Sequence, residues 1–280
     1  PAAELPSASW CYMVPSMWAR VANHLESTLP APPRTGLRVL RSGAAHLPHA
    51  EACRLVRLFA PGCTHPKGVS MLPTYSMTEC MPIASPPMGY ALQKPGSVGF
   101  AIGGLKVAII DPDTAELLRA GSQGEIALGG GGAQRFNGYE GLPPVGKTSL
   151  FRTGDLGYCD ADGWLYHCGR LKECINRGGE LIAPAEVEAA LCGAAPAVDA
   201  QSLVVFSTPH EDFAETVAVA VRGSPASVTL ASLRAWGAKA LPAASLPQLL
   251  VYVDELPRSG PTGKLQRIGY AQRLGLPSVS

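Results

Sequence analysis

Four short segments of this chain carry side chains that could do chemistry. YSMTE at 75–79 sets the Thr78 hydroxyl beside the Glu79 carboxylate, just past the end of a predicted strand. There a hydroxyl could take a phosphate oxygen and a carboxylate could hold a hard cation such as Mg2+. A capped helix start explains Thr-Glu equally well. FRTGDLGY at 151–158 offers Gly154 for a tight turn and then Asp155, an acceptor-only carboxylate able to hold two sugar hydroxyls; a plain Gly-Asp turn is the alternative. GRLKECINRGGE at 169–180 places two Arg, a Lys and paired Gly after a strand. PRSGPTGKLQR at 257–267 is a Gly/Pro-rich loop that would present Lys264 on a mobile stalk, suited to transient contact with developing negative charge; the alternative is a solvated surface Lys.

Other patterns read as structure. GLPPVGKT at 141–148 fits the phosphate-loop pattern letter for letter, but Pro143 and Pro144 remove two of the amides that would cradle phosphate, and no helical period follows Thr148. DADG at 160–163 begins like a calcium loop and lacks the later ligands, so between two apolar runs it predicts a hairpin turn. His46 and His49 have no third ligand nearby in sequence. The eight Cys form no C-x-x-C pair and read as scattered, reduced thiols of an intracellular protein.

The elements that must position these segments follow from periodicity. Residues 15–27 predict an amphipathic helix with Pro at its first position, 37–40 a strand running into the small-residue turn at 42–45, 49–59 a second helix, and 69–72 an apolar strand. That alternation is α/β up to about residue 80. Between about 96 and 168, short runs at 105–110, 124–128 and 163–167 are separated by Gly- and Asp-rich turns, as in an antiparallel or barrel-like β region. Beyond 173, helices at 184–192 and near 228–239 and strands at 202–207, 216–221 and 249–253 predict a small α+β domain.

The expected fold class is therefore α/β and α+β: residues 1–171 as part of a large α/β plus β-barrel-like domain, and residues 172–280 as a small mobile domain. With 280 residues, 46% hydrophobic and 16% charged, the chain is neither disordered nor charge-driven. Its 23 basic and 22 acidic side chains leave a formal charge of +1, which gives no footprint for nucleic acid, and no stretch approaches the ~20 apolar residues of a membrane span. The chain opens on Pro1 in mid-pattern and reads as a piece of something longer.

Taken together and in order, these segments resemble the adenylate-forming superfamily of acyl-CoA synthetases, luciferases and peptide-synthetase adenylation domains. The resemblance runs from Trp10 and VPSM at 14–17 through SGAA at 42–45, YSMTE, RTGD at 152–155, GRLKE at 169–173 and NRGGE at 176–180 to PRSGPTGK at 257–264. It implies ATP-dependent activation of a small-molecule carboxylic acid, loss of pyrophosphate, and transfer of the acyl group from AMP to CoA. By the same resemblance Tyr75 and the turn Gly43, Ala44, Ala45 border adenine, Thr78 contacts phosphate, and Glu79 binds Mg2+. Asp155 holds the ribose hydroxyls, Arg170 adds a second nucleotide contact, and Lys264 bridges the carboxylate and the α-phosphate. Lys172 falls at the hinge of a rotating small domain, and Gly178 and Gly179 line a thiol tunnel.

Two departures from the family pattern stand out. Ser76 replaces the usual Gly, and the Ser/Thr/Gly-rich phosphate loop found upstream in the family is absent from these 280 residues. Acyl-adenylate formation by this chain alone is therefore expected to be poor or nil. The alternatives are an adenylation domain loading a phosphopantetheine carrier, and a non-catalytic nucleotide-binding or interaction module. A cytoplasmic or other intracellular setting is expected.

Overall fold

The computed structural model describes residues 8–28, 36–61, 63, 68–130, 136–141, 150–194, 198, 202–224, 226–259 and 264–279. The phosphate-loop look-alike falls almost wholly on residues 142–149, outside that set. The chain divides into two units, Pro1–His167 and Cys168–Ser280.

The first unit opens with three parallel strands in the order β1 (Trp10–Met13), β2 (Val39–Ser42) and β3 (Ser70–Pro73). Parallel neighbours need crossovers, and helices α1 (Pro15–Thr28) and α2 (His49–Phe59) supply them. Trp18, Ala22 and Leu25 recur at helical spacing on α1 and are buried, as are Ala52, Leu55 and Phe59 on α2. Trp18 meets Phe59 edge-on at 6.1 Å, so one apolar layer joins both helices to the sheet. The second strand lies two residues beyond the predicted 37–40, because Val39 to Ser42 are the residues in register with both β1 and β3.

Next comes a seven-stranded sheet in the order β4-β5-β6-β10-β9-β8-β7. Its strands are β4 (Tyr75–Met77), β5 (Cys80–Ser85), β6 (Ser97–Ala101), β7 (Lys106–Ile110), β8 (Gly124–Gly129), β9 (Phe151–Cys159) and β10 (Leu165–Arg170). The predicted DADG hairpin joins β9 to β10. Asp160 Oδ1 accepts from the amides of Asp162 and Trp164, and Lys94 Nζ lies 2.8 Å from Asp160 and 2.6 Å from Asp162. An ammonium thus sits on the carboxylates that a calcium reading would have needed.

The second unit, taken by itself, holds a five-stranded sheet: β11 (Ile175–Arg177), β12 (Glu180–Ile182), β13 (Leu203–His210), β14 (Ala214–Arg222) and β15 (Leu249–Val253), the last parallel to β14. Alternation along β13 explains its unbroken apolar run. Leu203 and Val205 face a core shared with α3 (Pro184–Leu191) and α4 (Leu230–Gly237), while Val204 and Phe206 face Tyr270 of α5 (Tyr270–Arg273). A small hairpin, β16 (Arg258–Ser259) with β17 (Lys264–Leu265), completes the unit. Among the described residues no helix is long and apolar enough to cross a membrane.

Candidate active site

A bulge in β9 builds the RTGD corner. The antiparallel ladder pairs Glu125 with Leu156, then resumes at Ala127 with Arg152, so Ile126 alone faces residues 153, 154 and 155. Gly154 makes this possible at φ +71°, a left-handed conformation that favours glycine. Side chains take up backbone groups at the break in the ladder. Thr153 Oγ1 donates to the Ile126 carbonyl at 2.7 Å and accepts from the Asp155 amide at 3.1 Å. Glu125 Oε1 accepts from the Gly154 amide at 3.0 Å, and its Oε2 accepts from Arg152 Nε at 2.7 Å and from Arg152 Nη2. Arg152 also donates to the Pro112 carbonyl at 2.6 Å, and the Glu125 carboxylate beside it holds its guanidinium firmly charged. The segment expected as a turn is thus a strand interior, pinned by a buried Glu.

The product of this bulge is the placement of Asp155. Its buried Oδ2 accepts from Tyr75 Oη at 2.6 Å, joining two segments eighty residues apart. His167 of β10 brings Nε2 to 3.6 Å from the same oxygen, and its ring lies over Tyr75 with centroids 4.9 Å apart. A phenol, a carboxylate and an imidazole therefore share one corner, with His167 its more exposed member at 23% against 3% for the Asp155 side chain. An acceptor-only carboxylate beside an aromatic ring suits a sugar with vicinal hydroxyls carrying a flat base.

Thr78 and Glu79 form the two-residue turn of the β4–β5 hairpin, where Met77 pairs with Cys80. The capped-helix alternative does not occur. Thr78 is exposed and Glu79 half-buried, and Tyr139 Oη donates to Glu79 Oε1 at 2.5 Å. The turn Gly43, Ala44, Ala45 follows β2 and lies next to the Tyr75 segment, since the Thr74 amide donates to the Ser42 carbonyl at 2.7 Å. Gly43 is buried, and a Cβ there would come within 2.5 Å of Tyr12 Oη. The first unit therefore brings Tyr75, Asp155 and the 43–45 turn into one neighbourhood, with Thr78 and Glu79 on the hairpin that Tyr75 begins.

The remaining predicted residues lie in the second unit. Arg170 ends β10 and is exposed, and Lys172 is exposed in a 3-10 turn, Leu171–Glu173. Gly178 and Gly179 are the loop of the β11–β12 hairpin, with φ +61° and +94°, the pair of positive values that a type I′ turn requires. The Gly178 amide donates to the Phe213 carbonyl at 3.0 Å and the Gly179 amide to Asn176 Oδ1 at 2.9 Å. Lys264 begins β17, its backbone paired with Ser259.

Sequence reasoning missed His167, Glu125 and Tyr139. His167 and Glu125 left a faint signal, each a polar group inside an apolar strand run. Tyr139 left none, because its partner lies sixty residues away. Among the described residues no three His, Cys, Asp or Glu side chains group as a metal cage. Glu79, one carboxylate steadied by a phenol, fits a cation whose other ligands are phosphate oxygens rather than protein.

Residues 6–140 match the family model described as AMP-binding enzyme. An oxalate–CoA ligase of Arabidopsis thaliana is 34% identical over 279 residues, covering 96% of this chain and 50% of the relative. A sulfoacetate–CoA ligase of Cupriavidus necator is 32% identical over 266 residues, covering 93% and 48%. Among solved structures, ATP-bound MatB from Rhodopseudomonas palustris superposes with a TM-score of 0.75 at 27% identity, over 95% of this chain and 51% of that one. The chain spans about half the length of the curated relatives it matches.

Proposed function

We propose that this chain, whose residues 6–140 match the AMP-binding enzyme family, serves the ATP-dependent activation of a carboxylic acid and its transfer to the thiol of CoA. The substrate carboxylate attacks the α-phosphorus of ATP, the bond to the bridging oxygen breaks, and pyrophosphate leaves. The CoA thiolate then attacks the acyl carbon, forming the thioester and releasing AMP. The observation that carries this reading is the Tyr75–Asp155 hydrogen bond, which gathers two of the four chemistry-bearing segments into one buried corner.

In this reading Asp155 holds the ribose hydroxyls while Tyr75 and the 43–45 turn flank adenine. Thr78 donates to phosphate and Arg170 adds a second contact to the nucleotide. Mg2+, bound through Glu79 and the phosphates, would neutralise charge on the leaving pyrophosphate. Lys264 bridges the carboxylate and the α-phosphate as negative charge concentrates there, a task for positioning and electrostatics rather than proton transfer. Lys172 serves as the hinge of the small domain. The exposed Gly178–Gly179 turn, without side chains, lets the pantetheine arm run close to backbone. Because the relatives are about twice as long, the 280 residues alone are proposed to bind nucleotide yet to form acyl-adenylate poorly or not at all.

Titration calorimetry with AMP tests the nucleotide site. Asp155→Asn keeps the shape and loses the charge, and is expected to weaken AMP at least tenfold, as loss of a charge-assisted contact does. Equal affinity for wild type and Asp155→Asn would remove the site. Pyrophosphate release that falls in Lys264→Ala would show instead that the chain is competent unaided.

A further inference from the structure

Three residues beyond Lys264, one guanidinium ties together most of the pieces around it. Arg267 Nη2 donates to Glu188 Oε1 at 2.8 Å and Oε2 at 2.7 Å, its Nε adds a 3.3 Å contact to Oε1, and its Nη1 donates to Glu173 Oε2 at 3.1 Å. Glu188 lies on α3, and its Oε1 also accepts from the Val205 amide of β13 at 2.9 Å. Glu173 closes the Leu171–Glu173 turn, next to Lys172. The three side chains are only 13 to 17% exposed. At the base of the lysine hairpin the Gln266 amide donates to the Pro257 carbonyl at 2.7 Å, and Arg273 donates to the carbonyls of Gln266 and Ile268 at 2.6 and 2.8 Å.

Neutralising a buried Glu188 needs one cation, and Arg267 is that cation. Glu173 adds a second negative charge beside Glu188, which is electrostatically unfavourable for Glu188 and unnecessary for burying it. What Glu173 does contribute is a rigid link. A planar fork fixes direction as well as charge, and three residues of chain put Arg267 within about 10 Å of the Lys264 backbone. We propose that Arg267 is the positioning residue of the Lys264 hairpin, and that through Glu173 it makes the hairpin and the 171–173 turn move as one piece. This rests on the roles given above to Lys264 and Lys172, but its test does not.

Hydrogen exchange by mass spectrometry on the 280-residue chain reads the coupling directly. In Arg267→Met, amides of 264–266 and 172–174 are expected to exchange at least tenfold faster while the centres of β13 and β14 keep their protection. Arg267→Lys, which retains charge without the fork, is expected to restore little of it. A merely structural Arg267 would speed all protected amides of the unit by one common factor, and that outcome overturns the proposal, as does an unchanged rate at 264–266. Should Arg267→Met fail to fold, Glu173→Gln leaves the Glu188 pair intact. It is expected to speed exchange at 264–266 several-fold over β13, and no change there also overturns the proposal. Lys264→Ala is expected to leave these rates alone, so a failed assignment of Lys264 would show in nucleotide chemistry and not here.

Discussion

Cys174 donates its thiol to the Arg170 carbonyl at 3.3 Å, immediately after the turn that carries Lys172. Burial, and then the nearby carboxylates of Glu173 and Glu186, push this thiol up to about 12. Relative to an ordinary thiol, that removes about a thousandfold of the thiolate present at pH 8. A more basic thiolate is the better nucleophile by roughly twentyfold over the same interval, so alkylation of Cys174 is expected to be slower by about fiftyfold. Timed labelling with iodoacetamide at pH 8, read by peptide mass spectrometry, checks it against an unstructured cysteine peptide in the same solution. Labelling of Cys174 at the pace of that peptide would mean that the thiol is not held where Arg170 and Glu173 place it. The same local enclosure separates a reactive cysteine from a silent one, and spacing along the chain carries no trace of it.

The β9 bulge shows how an element turns ordinary residues into a site. Thr153→Val preserves volume but leaves the Ile126 carbonyl and the Asp155 amide without their side-chain partner, both in buried surroundings. A stability loss of about 1–3 kcal/mol is expected, with AMP affinity falling at least fivefold because Asp155 is no longer held at the Tyr75 phenol. Denaturant unfolding and calorimetry on one preparation measure both, and an affinity unchanged beside lost stability would show that Asp155 is placed by something else. Elements of this kind mark the edge of what the sequence discloses. Helices α1 to α4 are legible because one apolar stripe at 3.6-residue spacing answers to one buried face, and the DADG turn is legible because Asp-Gly favours its backbone. The bulge is not, since Gly-Asp in isolation reads as a turn, and only the pairing of β8 with β9 makes it a strand. The β11–β12 hairpin escaped for a similar reason: its strands are three residues each, too short to show alternation. Arg267, Glu173 and Glu188 meet across 79 and 94 residues of chain, where spacing alone is mute.

On the scale of the whole molecule, each unit has a core of its own. Trp18, Leu40, Leu55, Phe59 and Met71 fill one in residues 1–167, and Ile175, Leu191, Val205, Val219 and Leu233 fill another in residues 168–280. Units with separate cores unfold as separate steps, so two transitions are expected on heating. Tyr75, Asp155 and His167 all lie in the first unit. A ligand stabilises chiefly the unit that supplies most of its contacts, by about 2.7 kcal/mol at a hundredfold excess over its dissociation constant. For a unit of this size that is roughly 5–10 °C. Calorimetric scans with and without AMP are therefore expected to raise one transition by that amount and leave the other nearly still. Asp155→Asn, expected to cut the shift to about half or less for a tenfold or greater loss of affinity, assigns the moving transition to residues 1–167. Residues 168–280 produced alone should show the transition that does not move. If AMP instead raised the transition of that fragment, the nucleotide would be held by the lysine-bearing unit, and the corner built by the β9 bulge would have to serve some other ligand.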